Sequence, residues 1–302
     1  MIVDIGSTAL LLALVFSVYT TAVAAIAARR REQAFLASAR RGALVTAGLV
    51  SLAMLMLIIL LLSRDYQVRY VYQHVSSSLR PIYTLAALWA GQEGSLLLWL
   101  WFLALFAAVL TRQRAAWSQD LEPYALAVMG LTEAFFALLL CFVSKPFILL
   151  PARALDGMGL NPLLENPGMI YHPPTLFLGY AAYTVPFAYA IAALLAGRLD
   201  TGWVRGIRRW NLLAWGALGL GILLGAQWAY VELGWGGYWA WDPVENASLI
   251  PWLTGTALLH SVMIQERRGL FKVWNLLLVI STFALCLFAT FKIGRASCRE
   301  RV

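Results

Sequence analysis

Apolar residues in this chain do not alternate with polar ones, and they do not recur as the spaced stripe of a half-buried helix. They run on without interruption. Eight such runs lie at about 5–28, 43–62, 95–111, 122–142, 174–196, 210–231, 249–265 and 273–292. Each approaches the ~20 residues that a helix needs to cross the hydrocarbon of a bilayer. Strands of a small membrane barrel would alternate apolar and polar positions, so these runs are predicted to be helices. The expected fold class is all-α: a polytopic integral membrane helical bundle with about eight transmembrane helices.

The connections between the runs differ in charge. Those following the first, third, fifth and seventh runs hold fourteen Lys and Arg, including Arg29–Arg31, Arg40, Arg41, Arg205, Arg208, Arg209, Arg267 and Arg268. The others, at 63–94, 143–173 and 232–250, hold five. Basic residues stay on the inner side of a membrane. The N-terminus and these three loops are therefore predicted to lie outside, which in a bacterium is the periplasm, with the protein in the inner membrane. The first run lacks a basic residue before it and has three after it, the reverse of a secretory leader, so an uncleaved helix is expected.

Composition agrees. The chain is 61% hydrophobic and 13% charged, more apolar surface than a soluble domain can bury. A net charge of +8 would suggest nucleic acid if it formed a patch, but it is spent on topology. Cys141 and Cys286 lie in apolar runs, outside any CxxC pair, and read as buried small hydrophobes. Residues 293–302, including Cys298, back-translate to a string matching a common sequencing adapter. They are expected to be translated adapter, with the natural protein continuing past Lys292, and are set aside from the fold. Genomic DNA encoding IGRASCRERV without adapter would contradict this.

Candidate chemistry concentrates outside. The loop Trp235-Gly-Gly-Tyr238-Trp239-Ala-Trp241-Asp242-Pro243-Val-Glu245-Asn246 crowds indoles between two spans, where an interfacial aromatic belt would spread them over many helix ends. Gly234, Gly236 and Gly237 permit tight turns. Trp235, Tyr238, Trp239 and Trp241 can stack on a planar macrocycle and offer polar ring edges. Asp242 before Pro243 reads as a helix N-cap, with Glu245 at the third helical position as in a capping box. His172, in Tyr171-His172-Pro173-Pro174, is level with this loop; its alternatives are an axial ligand or a capping loop histidine. His260, about 14 Å along its helix from Pro251, is either a ligand facing the bundle interior or a neutral imidazole bonded to a neighbouring helix. Imidazole is the usual axial donor to heme iron. His74 lies in a polar stretch and reads as structural. The glycines of Gly91-Gln92-Glu93-Gly94-Ser95 suggest close backbone approach.

Together these residues resemble the tryptophan-rich "WWD" family of heme-handling membrane proteins. The segments Gly91–Trp99, Asn161-Pro162-Leu163-Leu164, His172-Pro173-Pro174 and Gly179-Tyr180 narrow the resemblance to its CcmF/NrfE branch, the heme lyases of cytochrome c maturation. It covers nearly all of residues 1–292. The family most often has Trp where Tyr238 stands here. The resemblance implies that residues 1–292 are the N-terminal part of a heme lyase membrane domain. Heme b would arrive from the chaperone CcmE and dock on the 232–250 loop, with His172 as one axial ligand. His260 would ligate a second, stable heme b in the membrane. The second histidine of each pair would lie past residue 292, leaving this portion inactive alone. Apocytochrome c and CcmH/CcmI-type subunits would be partners, and the product would be thioether-linked heme on CxxCH thiols. Two other classes remain: a heme transporter of the CcmC/CcsA type, which the Gly91–Trp99 and Asn161 to Pro174 segments and the helices ahead of the loop disfavour, and a generic permease.

Overall fold

The computed structural model describes residues 1–113, 120–198, 202–232 and 237–299, with side chains through residue 289. Eight helices are long and apolar enough to span a membrane. α1 (Ile2–Arg30) and α2 (Gln33–Leu62) form a hairpin whose turn is closed by Arg31, in the left-handed region at φ 56° with its N–H on Ala27 O. Both helices bury small residues, Ala9, Ala13, Ala24 and Ala27 on α1 and Ala39, Gly42, Ala43 and Ala47 on α2, and Gly42 meets Thr20 and Tyr19 of α1. Small side chains bring membrane helices close enough for dispersion to hold them without a hydrophobic drive.

Two short helices, α3 (Arg69–His74) and α4 (Pro81–Ala86), precede α5 (Gln92–Leu110) and α6 (Glu122–Phe142). The fifth span is α7 (Gly168–Ala182) followed, after one turn residue, by α8 (Thr184–Leu195). Three long helices complete the fold: α9 (Gly202–Glu232), α10 (Pro243–Arg268) and α11 (Lys272–Arg299). The fully buried Trp99 of α5 ties the centre together. It stacks on Tyr180 of α7 at 5.3 Å and 13°, and meets Phe136 of α6 at 5.1 Å and Phe177 at 5.8 Å. Near the starts of both helices, Arg40 of α2 grips the buried Glu122 of α6 through two hydrogen bonds of 2.6 Å, the fork geometry that an arginine–carboxylate pair favours.

One boundary differs from the sequence reading in a way that matters. The fifth span was expected to start at Pro174, after a loop histidine. The helix instead begins at Gly168, so His172 lies inside its second turn and both prolines are internal. A proline within a helix orphans the carbonyl four residues earlier. For Pro173 that is Met169 O, and the indole of Trp89 donates to it at 2.7 Å. The structure thus offsets the proline with a side chain eighty positions away, which local sequence does not reveal. The expectation that residues 293–302 are translated adapter falls on a stretch whose side chains lie outside the described residues.

The loops 63–91 and 143–167 are not independent. Arg69 N–H bonds Ile148 O, Leu150 N–H bonds Gln67 O, and Met158 N–H bonds Tyr72 O, at 2.7–2.8 Å. Asp156 fastens the joint, accepting from the Ser77 hydroxyl and amide and from Gly157 N–H. These bonds, the Ser77 hydroxyl first, hold its carboxyl down at about 2. A depressed carboxyl contributes above its unfolded value of about 4 and is lost as pH falls through its folded value. Amide exchange around Met158 should therefore accelerate between pH about 4 and about 2 in the wild type. Asp156→Asn should remove that step while leaving exchange in α5 unchanged.

Candidate functional site

The site forms where α7, α9, the start of α10 and the Asn161–Leu164 turn converge. They enclose a cavity of about 280 Å³ lined by His172, Leu176, Ile222, Trp228, Trp239 and Asp242, among others. The walls are mainly apolar with a few polar groups, the usual make-up of a cofactor pocket.

His172 reaches this cavity in a fixed pose. Its Nδ1–H donates to Gly221 O of α9 at 2.7 Å, which leaves the lone pair on Nε2 as the free coordinating atom. α9 can approach so closely because Gly225 sits beside the ring: a Cβ there would lie 2.4 Å from His172 Cε1. Trp228 flanks the imidazole edge-on at 5.7 Å. The indole N–H groups of Trp228 and Trp239 are buried in the cavity wall without a hydrogen-bond partner. A buried unpaired donor is costly, so two of them beside a free imidazole nitrogen mark a place shaped for a ligand with acceptor atoms.

Asp242 caps α10, its Oδ1 accepting from Val244 and Glu245 N–H at 2.6 and 2.7 Å. Glu245 stands at the expected third position, but its Oε2 accepts from Ala240 N–H at 2.8 Å rather than from the N-cap amide. Both acids hold the loop's exit. Trp241 pays for the tight entry with a left-handed φ of 60°, unusual for a bulky residue. Of the aromatic platform, Trp239 faces the cavity. Tyr238 and Trp241 are exposed, and Tyr238 stacks on Tyr230 at 4.5 Å. Trp235 lies outside the described residues. At the other rim Asn166 joins the NPLL turn to α9: its amide donates to Glu232 Oε1 while its Oδ1 accepts from Gly168 N–H.

The other histidines lie elsewhere. His260 does not face the interior of these eight helices; it is exposed on the flank of α10, with Nδ1–H on Thr256 O at 2.9 Å. Because α10 starts at Pro243 and ends at Arg268, His260 is about 12 Å from its C-terminal end and about 26 Å from its N-terminal end. Like His172 it keeps Nε2 free. His74 bonds Tyr70 O at 2.8 Å and packs on that ring, a structural role. The Gly91 and Gly94 pair serves the same junction. A Cβ on Gly94 would fall 1.7 Å from Leu88 O and 2.4 Å from the hydroxyl of Tyr70, which donates to Ala87 and Leu88 O and accepts from Gly91 N–H. Gly94→Ala should destabilise the protein by about 1–3 kcal/mol through overpacking, read as a lower melting temperature. Gly48→Ala, with open space around it, should not.

Trp228, Gly221 and Gly225 were not singled out from the sequence. The signal was present in the four-residue spacing of the two glycines, which marks a face of close helix contact.

Comparison with known proteins adds an independent finding. The family model described as "Cytochrome C assembly protein" matches residues 89–296. The cytochrome c-type biogenesis protein CcmF of Haemophilus influenzae is 43% identical over 295 residues, 96% of this chain and 45% of that protein. CcmF of Escherichia coli K12 is 45% identical over 294 residues, 96% and 45%. The probable biogenesis protein NrfE of Escherichia coli K12 is 46% identical over 249 residues, 82% and 45%. A solved "Cytochrome c Heme Lyase CcmF" superposes with TM-score 0.85 at 36% identity, covering 96% of this chain and 47% of that one. The chain thus spans just under half the length of these relatives.

Proposed function

The chain belongs to the cytochrome c assembly protein family, and from this membership we propose that it is the N-terminal part of a heme lyase of cytochrome c maturation. Its substrates are heme, delivered by a chaperone of the CcmE kind, and an apocytochrome c bearing a CxxCH motif. CcmH/CcmI-type subunits are its further partners. The site faces the periplasm from the bacterial inner membrane, where the three poorly basic loops gather.

The observation that carries this reading is the pose of His172. Its Nδ1–H is anchored on Gly221 O, and its Nε2 is held in an apolar pocket beside the unpaired N–H groups of Trp228 and Trp239. Nε2 is positioned to bind iron, the indoles to bond or stack along the ring, and Asp242 to fix the loop above. The residues lining the cavity would hold part of a porphyrin, with Trp239 and Asp242 of the loop at its edge. Heme supplies the vinyl groups to which the apocytochrome thiols add. This chain's residues orient it and keep water from its face. His260 serves a separate, stable heme b in the membrane. The second ligand of each heme would come from outside residues 1–292, so these residues alone would not attach heme to protein.

The test is complementation. The full-length gene should restore covalently heme-stained cytochrome c in a bacterium lacking its own lyase. A gene truncated after codon 292 should not. Absence of restoration by a full-length protein that reaches the membrane would refute the reading.

A further inference from the structure

One ionisable group inside the spans has no part in the heme reading. Glu133 lies midway along α6, eleven residues from Glu122 and nine from Phe142. Its side chain is 0% exposed, and neither carboxyl oxygen has a hydrogen-bond partner. Other acids of the spans are matched: Glu122 with Arg40, Glu93 with Arg69 and Glu266 with Arg208. α6 packs on α1, α2, α5 and α8. Their titratable or charged groups are Asp4, Tyr19, Arg29 and Arg30 on α1, Arg40 and Arg41 on α2, Glu93 on α5 and Tyr189 on α8. On α6 itself there are Glu122, Tyr124 and Cys141. None of them bonds Glu133. An unpaired carboxylate in such a place is far costlier than the neutral acid, and membrane-core acids that persist mark proton or ion pathways.

The surroundings suggest how a proton reaches it. One turn inward on the same face, Gly130 lies so close to α1 that a Cβ would meet Thr21 Oγ1 at 2.7 Å and Ser17 O at 3.0 Å. Ser17, Thr20 and Thr21 form a ladder of hydroxyls there, each donating to a carbonyl of α1 itself at 2.7–2.8 Å. Each keeps acceptor lone pairs for a neighbour or a water. Thr20 abuts Gly42 of α2, two residues from Arg40 of the Arg40–Glu122 pair.

We propose that Glu133 is a proton-binding site at the centre of the membrane, exchanging its proton along the α1 hydroxyl ladder with the face that carries Arg40 and Glu122. The proposal does not depend on heme binding.

The experiment uses the full-length protein in membranes and dicyclohexylcarbodiimide. This apolar reagent adds across the O–H of a protonated carboxyl to give an acylurea and spares carboxylates. Mass spectrometry should find the adduct on Glu133 in the wild type and lose it in Glu133→Gln. Infrared spectra should show a protonated-carboxyl C=O band that shifts when H2O is replaced by D2O, more slowly in Thr21→Val. The wild-type labelling and band shift need no variant to be read. An unmodified Glu133 with no such band would overturn the proposal, as would a band that D2O never moves, which is a trapped structural proton. Equal exchange rates in the wild type and Thr21→Val would overturn the route.

Discussion

Gly225→Ala, introduced into the full-length protein, is expected to weaken heme binding at the outer site about 10–100-fold, the range seen when a residue that supports a metal ligand is lost. The substitution adds one methyl group and touches no ligand. Its Cβ would stand 2.4 Å from His172 Cε1 and 2.9 Å from Nδ1, so the ring must leave Gly221 O or α9 must withdraw. Either movement frees Nδ1, unsettles the tautomer and turns Nε2 out of the cavity. His172→Ala should be at least as severe. Gly216→Ala on the same helix, with no atom within 4 Å of its Cβ, should be silent. Titration of the purified variants with heme, followed by absorbance, separates these outcomes. Unchanged affinity in Gly225→Ala would mean that the pose of His172 is not what binds.

His260→Ala is expected to remove the stable heme, lowering heme per protein by more than about tenfold in a pyridine hemochrome assay, since losing a ligand costs at least what losing its support does. The physical case is the mismatch between residue and surroundings. An imidazole with a free Nε2 lies on a flank of α10 where Leu253 and Ile264 are also exposed. In lipid such a group is expensive and persists where it has a partner. The relatives are about twice as long as this chain. Because the substitution lies on an exposed surface, helix content and melting temperature should change little. Retention of the normal heme content would exclude His260 as an axial ligand.

The spans were legible because hydrocarbon leaves the backbone no alternative: a run that cannot find water must satisfy its own hydrogen bonds. All eight appear with ends shifted by up to ten residues, most at Gln33 and Gly202, where polar helix turns project beyond the apolar run. The site was legible in its types and less so in its geometry. His172, Trp239 and Asp242 meet in one cavity. Tyr238 and Trp241 turn outward, because a loop that enters α10 through a left-handed Trp241 and a capping Asp242 cannot present every ring to one side. Trp228 escaped notice because an indole near a helix end reads as interfacial. The Trp89–Met169 bond and the joining of loops 63–91 and 143–167 depend on chain segments far apart, and no local pattern reports such meetings.

The most direct test of the account is the colour of the intact protein. Purified in detergent from heme-replete cells, the full-length polypeptide should show a Soret band that falls in His260→Ala and should bind added heme less tightly in Gly225→Ala. A folded, full-length preparation with no Soret band and no uptake of added heme would contradict it.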